Sequence, residues 1–424
     1  MFHTRKRAFL AIGAAAATFA VLLTSGCSGS SNGGSSGGDI TLKLSTFGNF
    51  GYTDELLAEY EKSHPGIKVE QSISASSEDS RTNVFTKLAA GSGLADIEAI
   101  EGGWTLELGQ YADKFVPVED DEYGDWIDFQ TAQVKTKDGG LWAYGVATGP
   151  EAICYRADMF EAAGLPSDPE GVAKLLGTSW DDYFAAGKKY VAGGGPGKFF
   201  DSAITVFEAQ MLQLPNPFEE DDGTIIATGP QIEDIFRSTL EAAPALSAAA
   251  APYTDDWAAA TANGGFATLA CPSWMLGLIE GNSPKVTGWN VANTFPGGGG
   301  NTGGSFLAVP TQSQHPKEAS ELASWLTSPE VQVKAFETAG PFPSRVKAFD
   351  LPELTSYVNP FFNNAPVGQI FSDQSKADTV IAFKGVNFAK LALLASDAVA
   401  RVDSGTQSID DAWNQYVSEV DAVK

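Results

Sequence analysis

Chemistry at a protein site needs particular side chains, and this chain is poor in the usual ones. Histidine occurs three times, at His3, His64 and His315, and the last two each precede a proline in a polar turn. Such placement gives little support to a histidine-centred triad or a zinc cluster. No G-x-S-x-G, G-x-x-x-x-G-K-[ST] or H-E-x-x-H pattern occurs. The run Gly297–Gly300 has no lysine or helix start after it, so it reads as a surface loop and not a phosphate cradle. Glu219-Glu220-Asp221-Asp222-Gly223 lacks the alternation of a calcium loop and reads as a solvated turn. Paired carboxylates for glycoside hydrolysis would assemble only in the fold, and nothing in the sequence nominates a pair. No cofactor and no metal is expected.

Aromatic residues are what the chain does have: nine Trp, 11 Tyr and 26 Phe. Many stand in turns beside Gly, Asn or Asp, among them Phe47, Phe50, Trp104, Trp257, Trp274, Trp289 and Phe342. Aromatic faces interleaved with short amides and carboxylates suit a sugar, whose C–H faces stack on rings while its hydroxyls need donors and acceptors.

The elements that would hold such residues can be read from periodicity. From Asp39, the residues Ile40, Leu42 and Leu44 alternate with Thr41, Lys43 and Ser45, a half-buried strand running into the turn Phe47–Gly51. Thr53 then caps a helix with Asp54 and Glu55 in its first turn, ending at Ser63-His64-Pro65-Gly66. Ile67 and Val69 alternate with Lys68 and Glu70 in a second strand, which completes a βαβ opening. Asp96–Ile100 and Phe306–Val309 read as further strands, and Trp104–Tyr111 and Ser320–Leu326 as helices. This rhythm gives an α/β class with parallel sheets covered by helices. Beyond Gln369 the spacing Phe388, Leu391, Leu394, Val399 and then Ile409, Trp413, Tyr416, Val420 is that of amphipathic helices.

Composition narrows the class of function. The 424 residues carry 27 Lys plus Arg against 53 Asp plus Glu, a net charge of −26. Arg5, Lys6 and Arg7 lie in the first 26 residues, which hold no acid, so residues 27–424 carry a net of −29. Such a surface repels phosphate backbones and argues against nucleic acid as a partner. Residues 1–26 join that basic start to the apolar run Ala8–Leu23 and the small residues Thr24-Ser25-Gly26, the pattern of a signal peptide. Residues 28–38 are Ser, Gly and Asn only, the composition of a flexible linker. In an oxidising compartment the two remaining cysteines, Cys154 and Cys271, either form a disulfide or stay as two buried thiols.

Several blocks together carry a family resemblance. They are Leu88–Ile97 with its Gly91-Ser92-Gly93 and Asp96, Tyr144–Pro150, Cys154–Pro166, Ser179-Trp180-Asp181, Asn263–Ala267, Ser273–Gly277, Gly303–Pro310, Trp325–Glu330 and Pro341–Arg345. In this order the chain resembles the extracellular solute-binding proteins, family 1, of carbohydrate ABC importers. Ile153–Arg156, Ala270–Met275 and Asn364–Gly368 make it most similar to actinobacterial binding proteins for cellobiose and cello-oligosaccharides. The resemblance implies a type II two-lobed fold, two α/β lobes joined by a hinge of three crossovers near Gly149-Pro150, Ala270-Cys271-Pro272 and Leu326-Thr327. It implies lobes of 39–148 plus 272–327 and of 149–271 plus 328–424, with the ligand in the cleft between them. Small residues before Cys27 resemble a lipobox, with Thr24 where Leu is usual. Lipidation of Cys27 would hold a monomer on the extracellular face of the membrane, beside the permease subunits that receive its oligosaccharide.

For the site the resemblance points to Phe47, Asn49 and Phe50 on the first strand-to-helix turn, and to Glu101 and Trp104 after the strand Asp96–Ile100. It adds Trp257, Trp274 and Trp289 as stacking faces, Asp256 as a hydroxyl acceptor, and Phe342 and Arg345 in the loop Pro341–Arg345. Thr302 stands where the cello-oligosaccharide subgroup often has an aromatic facing the sugar. A secreted glycan hydrolase and a receptor for a non-sugar solute are the competing functions.

Overall fold

The computed structural model describes residues 39–119, 125–377, 380 and 382–423. The expectations for the leader 1–26, for Cys27 and for the linker 28–38 fall outside the described residues. Among the described residues ten strands form two sheets: β1 (Ile40–Phe47), β2 (Ile67–Ser74), β3 (Ile97–Glu101), β4 (Tyr144–Thr148), β5 (Glu151–Arg156), β6 (Lys198–Phe200), β7 (Phe266–Pro272), β8 (Trp289–Ala292), β9 (Ser305–Ala308) and β10 (Phe342–Pro343). The first sheet has the order β10-β4-β9-β3-β1-β2 and the second the order β6-β7-β5-β8.

The opening βαβ unit forms for the reasons its sequence gives. Leu42 and Leu44 point into the first core while Thr41 and Lys43 face solvent. The helix Asp54–Ser63 starts where Thr53 Oγ1 accepts from Leu56 N at 3.2 Å, which satisfies one of its orphan N–H groups. Its face of Leu56, Leu57 and Tyr60 is buried, and the chain returns as β2, parallel to β1 along its whole length.

The sheets are mixed, not parallel as the strand-helix rhythm suggested. β1 runs parallel to β2 and β3, but β9 enters antiparallel between β3 and β4, and β10 is antiparallel to β4. In the second sheet only β6 and β7 are parallel. Strands that arrive from the other lobe are free to enter a sheet from either end, whereas a parallel pair needs a local crossover.

The lobe boundaries also differ from the expectation. The chain does not leave the second sheet at Ala270-Cys271-Pro272: the helix Met275–Asn282 and β8 keep residues 272–300 with it. It crosses instead at Gly300–Thr302, so Gly299 and Gly300 are buried and only Gly297 and Gly298 form an exposed loop. The third crossing lies past Leu326-Thr327. Helix Pro329–Ala339 packs Val331 and Ala335 in the first core and Val333 and Phe336 in the second, and β10 still pairs with β4. Pro329 breaks the chain into two helices there without moving it to the other lobe.

Cys154 on β5 and Cys271 on β7 are disulfide-bonded, with Cα atoms 5.5 Å apart. The bond therefore staples two neighbouring strands of one sheet. The helices Phe388–Asp403 and Ile409–Asp421 pack Phe388, Leu391, Val399, Trp413, Tyr416 and Val420 against the helices Ala203–Leu212 and Pro230–Leu246, as their spacing predicts. No helix among the described residues is long and apolar enough to cross a membrane.

Candidate ligand-binding cleft

Two crossings lie side by side and pair. Gly149 N donates to Asn301 Oδ1 at 2.7 Å, Thr302 N to Gly149 O at 2.9 Å, and Glu151 N to Gly300 O at 2.9 Å. The fit leaves no room for a side chain at Gly149, whose Cβ would stand 1.9 Å from the Thr302 carbonyl oxygen. Beside this pair opens a cavity of about 250 Å³ lined from both lobes. Ile127, Phe129, Gln133 and Thr148 come from the first-sheet side, Pro150 and Asn301 from the crossings, and Leu212, Phe349 and Lys384 from the second.

Glu101 stands at the C-terminal end of β3, an end at which open α/β sheets place ligands. Strand β3 lies between β1 and β9 with Ile97, Ala99 and Ile100 in the core, so the carboxylate is held rigidly where the strand stops. It accepts from Gly103 N at 2.7 Å. Burial raises its carboxyl above the usual range, opposed by the Lys384 ammonium and by the Gly103 N–H. Lys384 comes from the second lobe: Phe383 N donates to Pro215 O, Asn387 bonds the Glu219 carboxylate through both its backbone and side-chain nitrogens, and Phe388 packs on Phe218. Glu219 is thus a buried anchor for this segment, not part of a solvated turn. From there the Lys384 ammonium reaches Gly303 O at 3.3 Å, on the first lobe.

A second group lies at the crossing. Trp274, just past β7, donates its indole N–H to Thr302 O at 2.9 Å. Tyr253 holds its ring nearly parallel to that indole, 13° apart with centroids at 6.3 Å. Tyr253 is 69% exposed and adopts φ of +67°, a left-handed conformation that is strained for a side chain of this size. Strain of this kind concentrates at functional sites.

Trp274 and Thr302 meet at the crossing beside the cavity, and Glu101 lies within electrostatic reach of Lys384 on its wall; none of the three lines the cavity itself. Phe47 and Asn49 stand at the C-terminal end of β1, parallel to β3 and so at the same end of the sheet. Phe47 is half-buried, edge-on to the buried Phe50, and Asn49 Oδ1 is engaged by Gly51 N in a local turn. Asp256 is exposed in the first turn of the helix Asp255–Asn263.

Six candidates are core residues, which corrects the expectation for them. Phe50 is buried in the first core beside Tyr52. Trp104 is packed in the first core beside Phe85. Trp257 is buried with its indole N–H on Asp201 Oδ2 at 3.1 Å. Trp289 is fully buried, faced by the Arg156 guanidinium at 5.7 Å. Phe342 is wedged between Phe336 and Phe349. Arg345 is buried over the Trp126 ring at 3.5 Å and donates from Nε to Thr327 O at 3.0 Å. A ring or guanidinium with both faces covered by protein has none to offer a sugar.

Sequence reasoning missed Tyr253, Asn301, Gln133 and Lys384. Tyr253 had the signal used for its neighbours, an aromatic in the polar turn Pro252-Tyr253-Thr254. Lys384 had none, since a lysine between Phe383 and Gly385 reads as a surface turn.

The model of the bacterial extracellular solute-binding protein family matches residues 55–363. An arabinooligosaccharide-binding protein of Halalkalibacterium halodurans is 24% identical over 297 residues, 66% of this chain. The match spans 63% of that curated relative's length. A crystal structure of an extracellular solute-binding protein, family 1, is 41% identical with a TM-score of 0.80, over 90% of this chain and 99% of its own. The ABC transporter associated binding protein of B. animalis subsp. lactis Bl-04, in complex with beta-1,6-galactobiose, shares the fold at 21% identity and a TM-score of 0.75, over 90% of this chain and 96% of its own. All three relatives are binding proteins and not enzymes. With a family model matched across most of its length and a 41%-identical structure covering nearly all of it, this chain belongs to the bacterial extracellular solute-binding proteins.

Proposed function

We propose that the protein is the extracellular sugar-capturing component of an ABC importer, taking an oligosaccharide in the cleft between its lobes and handing it to the membrane permease. The observation that carries this reading is one cavity walled by both lobes at the paired crossings, where the half-buried Trp274 bonds Thr302 and stacks on the exposed Tyr253. A ligand that touches both walls favours the closed arrangement because only there does it gain all its contacts. Stacking on Trp274 and Tyr253 adds about 0.5–1.5 kcal/mol per ring beyond burial. With several hydroxyl bonds at about 1 kcal/mol net each, this reaches the roughly −8 kcal/mol of a micromolar complex. The site residues in this reading are Glu101, Tyr253, Trp274, Asn301, Thr302 and Lys384, with Phe47 and Asn49 at the cleft rim.

Cellobiose or another β-gluco-oligosaccharide is the ligand we propose, supported by the subgroup likeness of Ala270–Met275 and Asn364–Gly368. The named ligands of the relatives above, arabino-oligosaccharide and β-1,6-galactobiose, belong in the same trial. Isothermal titration of the mature chain against these, cellotriose, maltose, xylobiose and mannobiose decides the matter. Heat with the cello series alone supports the proposed ligand; heat with a different sugar keeps the transport role and rejects cellobiose; silence with every sugar rejects the sugar-binding role. We propose further that Cys27 is lipidated and holds the monomer on the outer face of the membrane. Cys27→Ser should then release the protein into the medium, and retention in the membrane fraction would reject the anchor.

A further inference from the structure

Lys384 has donors to spare. Its side chain is 8% exposed, it lines the interlobe cavity, and its one hydrogen bond runs to Gly303 O at 3.3 Å. An ammonium carries three donors, so two have no partner among the described residues. The Phe388 ring, 5.7 Å away, offers only a face. Lys376, also on the cavity wall, is exposed and keeps its water.

The charge nearest Lys384 in effect is Glu101, on the other lobe, and both converge on Gly303–Ser305: Glu101 pairs with Ser305 in the sheet, Gly102 N donates to Gly304 O at 2.9 Å, and Lys384 reaches Gly303 O. Each acts on the other electrostatically while burial works against the charged form of both. The two do not form a direct ion pair, and buried charges left in this state are costly. A group placed between them must accept from the ammonium and donate to the carboxylate. A hydroxyl does both. A carboxylate or phosphate on a ligand only accepts, and it would set a second negative charge against Glu101 where water screens little.

We infer that Lys384 and Glu101, on opposite lobes, form a charged pincer that reads a ring hydroxyl of a neutral saccharide and rejects an anionic one. This rests on the proposed sugar-binding function and makes Lys384 a specificity-determining residue of the cleft. The pincer also ties recognition to closure, because its two halves reach one hydroxyl only when the lobes are together.

The test is titration of the mature protein with whichever neutral disaccharide of the panel binds, and with the uronic-acid form of the same disaccharide. Wild type should bind the neutral sugar about 10-fold or more tightly than the uronate. Glu101→Gln should bring the two within about threefold, by removing the negative charge while keeping a hydrogen-bonding group. Lys384→Met should weaken the neutral sugar by about 10-fold or more. A wild type that binds the uronate as well as the neutral sugar overturns the inference. So does a Glu101→Gln variant with an unmoved ratio, since a merely structural role would shift the melting temperature and leave the ratio alone. If Lys384→Met does not fold, the Glu101→Gln ratio decides. If wild type binds no sugar at all, the proposed function fails and the inference with it; binding with unmoved ratios sinks the inference alone.

Discussion

Trp274 and Trp257 look alike in the sequence and stand in different physical settings. Trp274 is partly exposed beside Tyr253, so Trp274→Ala should weaken ligand binding by about 10- to 100-fold with little loss of stability. Trp257 is core, and Trp257→Phe should leave affinity near wild type while removing about 2 kcal/mol of stability by withdrawing a donor from buried Asp201. Titration and urea unfolding of both variants separate the cases. Asp201 itself makes a pH prediction. Burial pushes its carboxyl from the ordinary 3.8 up to about 7, against the bonds from Ser202 N, Trp257 and Thr205. Between those values the folded state keeps a proton that the unfolded chain has lost, so stability falls as pH rises and levels off above about 7. Urea unfolding across that window should show the stability of wild type relative to Asp201→Asn dropping by up to about 4 kcal/mol. A difference independent of pH would reject the assignment. The sequence supplied residue types but not exposure: a tryptophan in a polar turn is the same string whether its ring faces a cleft or a core.

At the scale of elements, the Cys154–Cys271 bond joins adjacent strands of the second sheet, across 117 residues of chain. Closing a loop of this size restricts the unfolded chain, and the double variant Cys154→Ser/Cys271→Ser should lose about 2–5 kcal/mol. Because the bond does not span the lobes, ligand affinity should stay within about twofold, measured by titration beside thermal unfolding. A large loss of affinity with intact stability would mean that it constrains the cleft. Elements with a clean period were legible beforehand: β1 by the alternation of Leu42 and Leu44, and the C-terminal helices by the spacing of Leu391, Val399, Trp413 and Tyr416. Strands β5 and β7 are buried on both faces and show no alternation. The crossing at Gly300–Thr302 ends a glycine run that carries only a loop's signature, so nothing in the local pattern marked it as a passage between lobes.

For the whole molecule, a cleft walled by two lobes predicts a measurable contraction. Small-angle scattering of the mature chain should show a smaller radius of gyration with a saturating sugar than without, and the change should be lost in Trp274→Ala at the same sugar concentration. An unchanged radius at saturation would place recognition in a rigid pocket. The family-level architecture was legible from the order of short blocks along the chain, because each marks a turn or crossing that the fold needs. The sheet order was not, since local pattern does not say which strand slots between which. That order also has a kinetic side. Strand β9 fills the space between β3 and β4, so the first sheet is two unjoined pieces until residues 305–308 arrive. The four strands of the second sheet come from the single stretch 151–292 and need no such late arrival. On a chain made or exported from its N-terminus, the part that emerges first is the part that must wait. Its inner edges at Glu101 and Tyr144 stay open to mispairing until the far-downstream segment Ser305–Ala308 closes them.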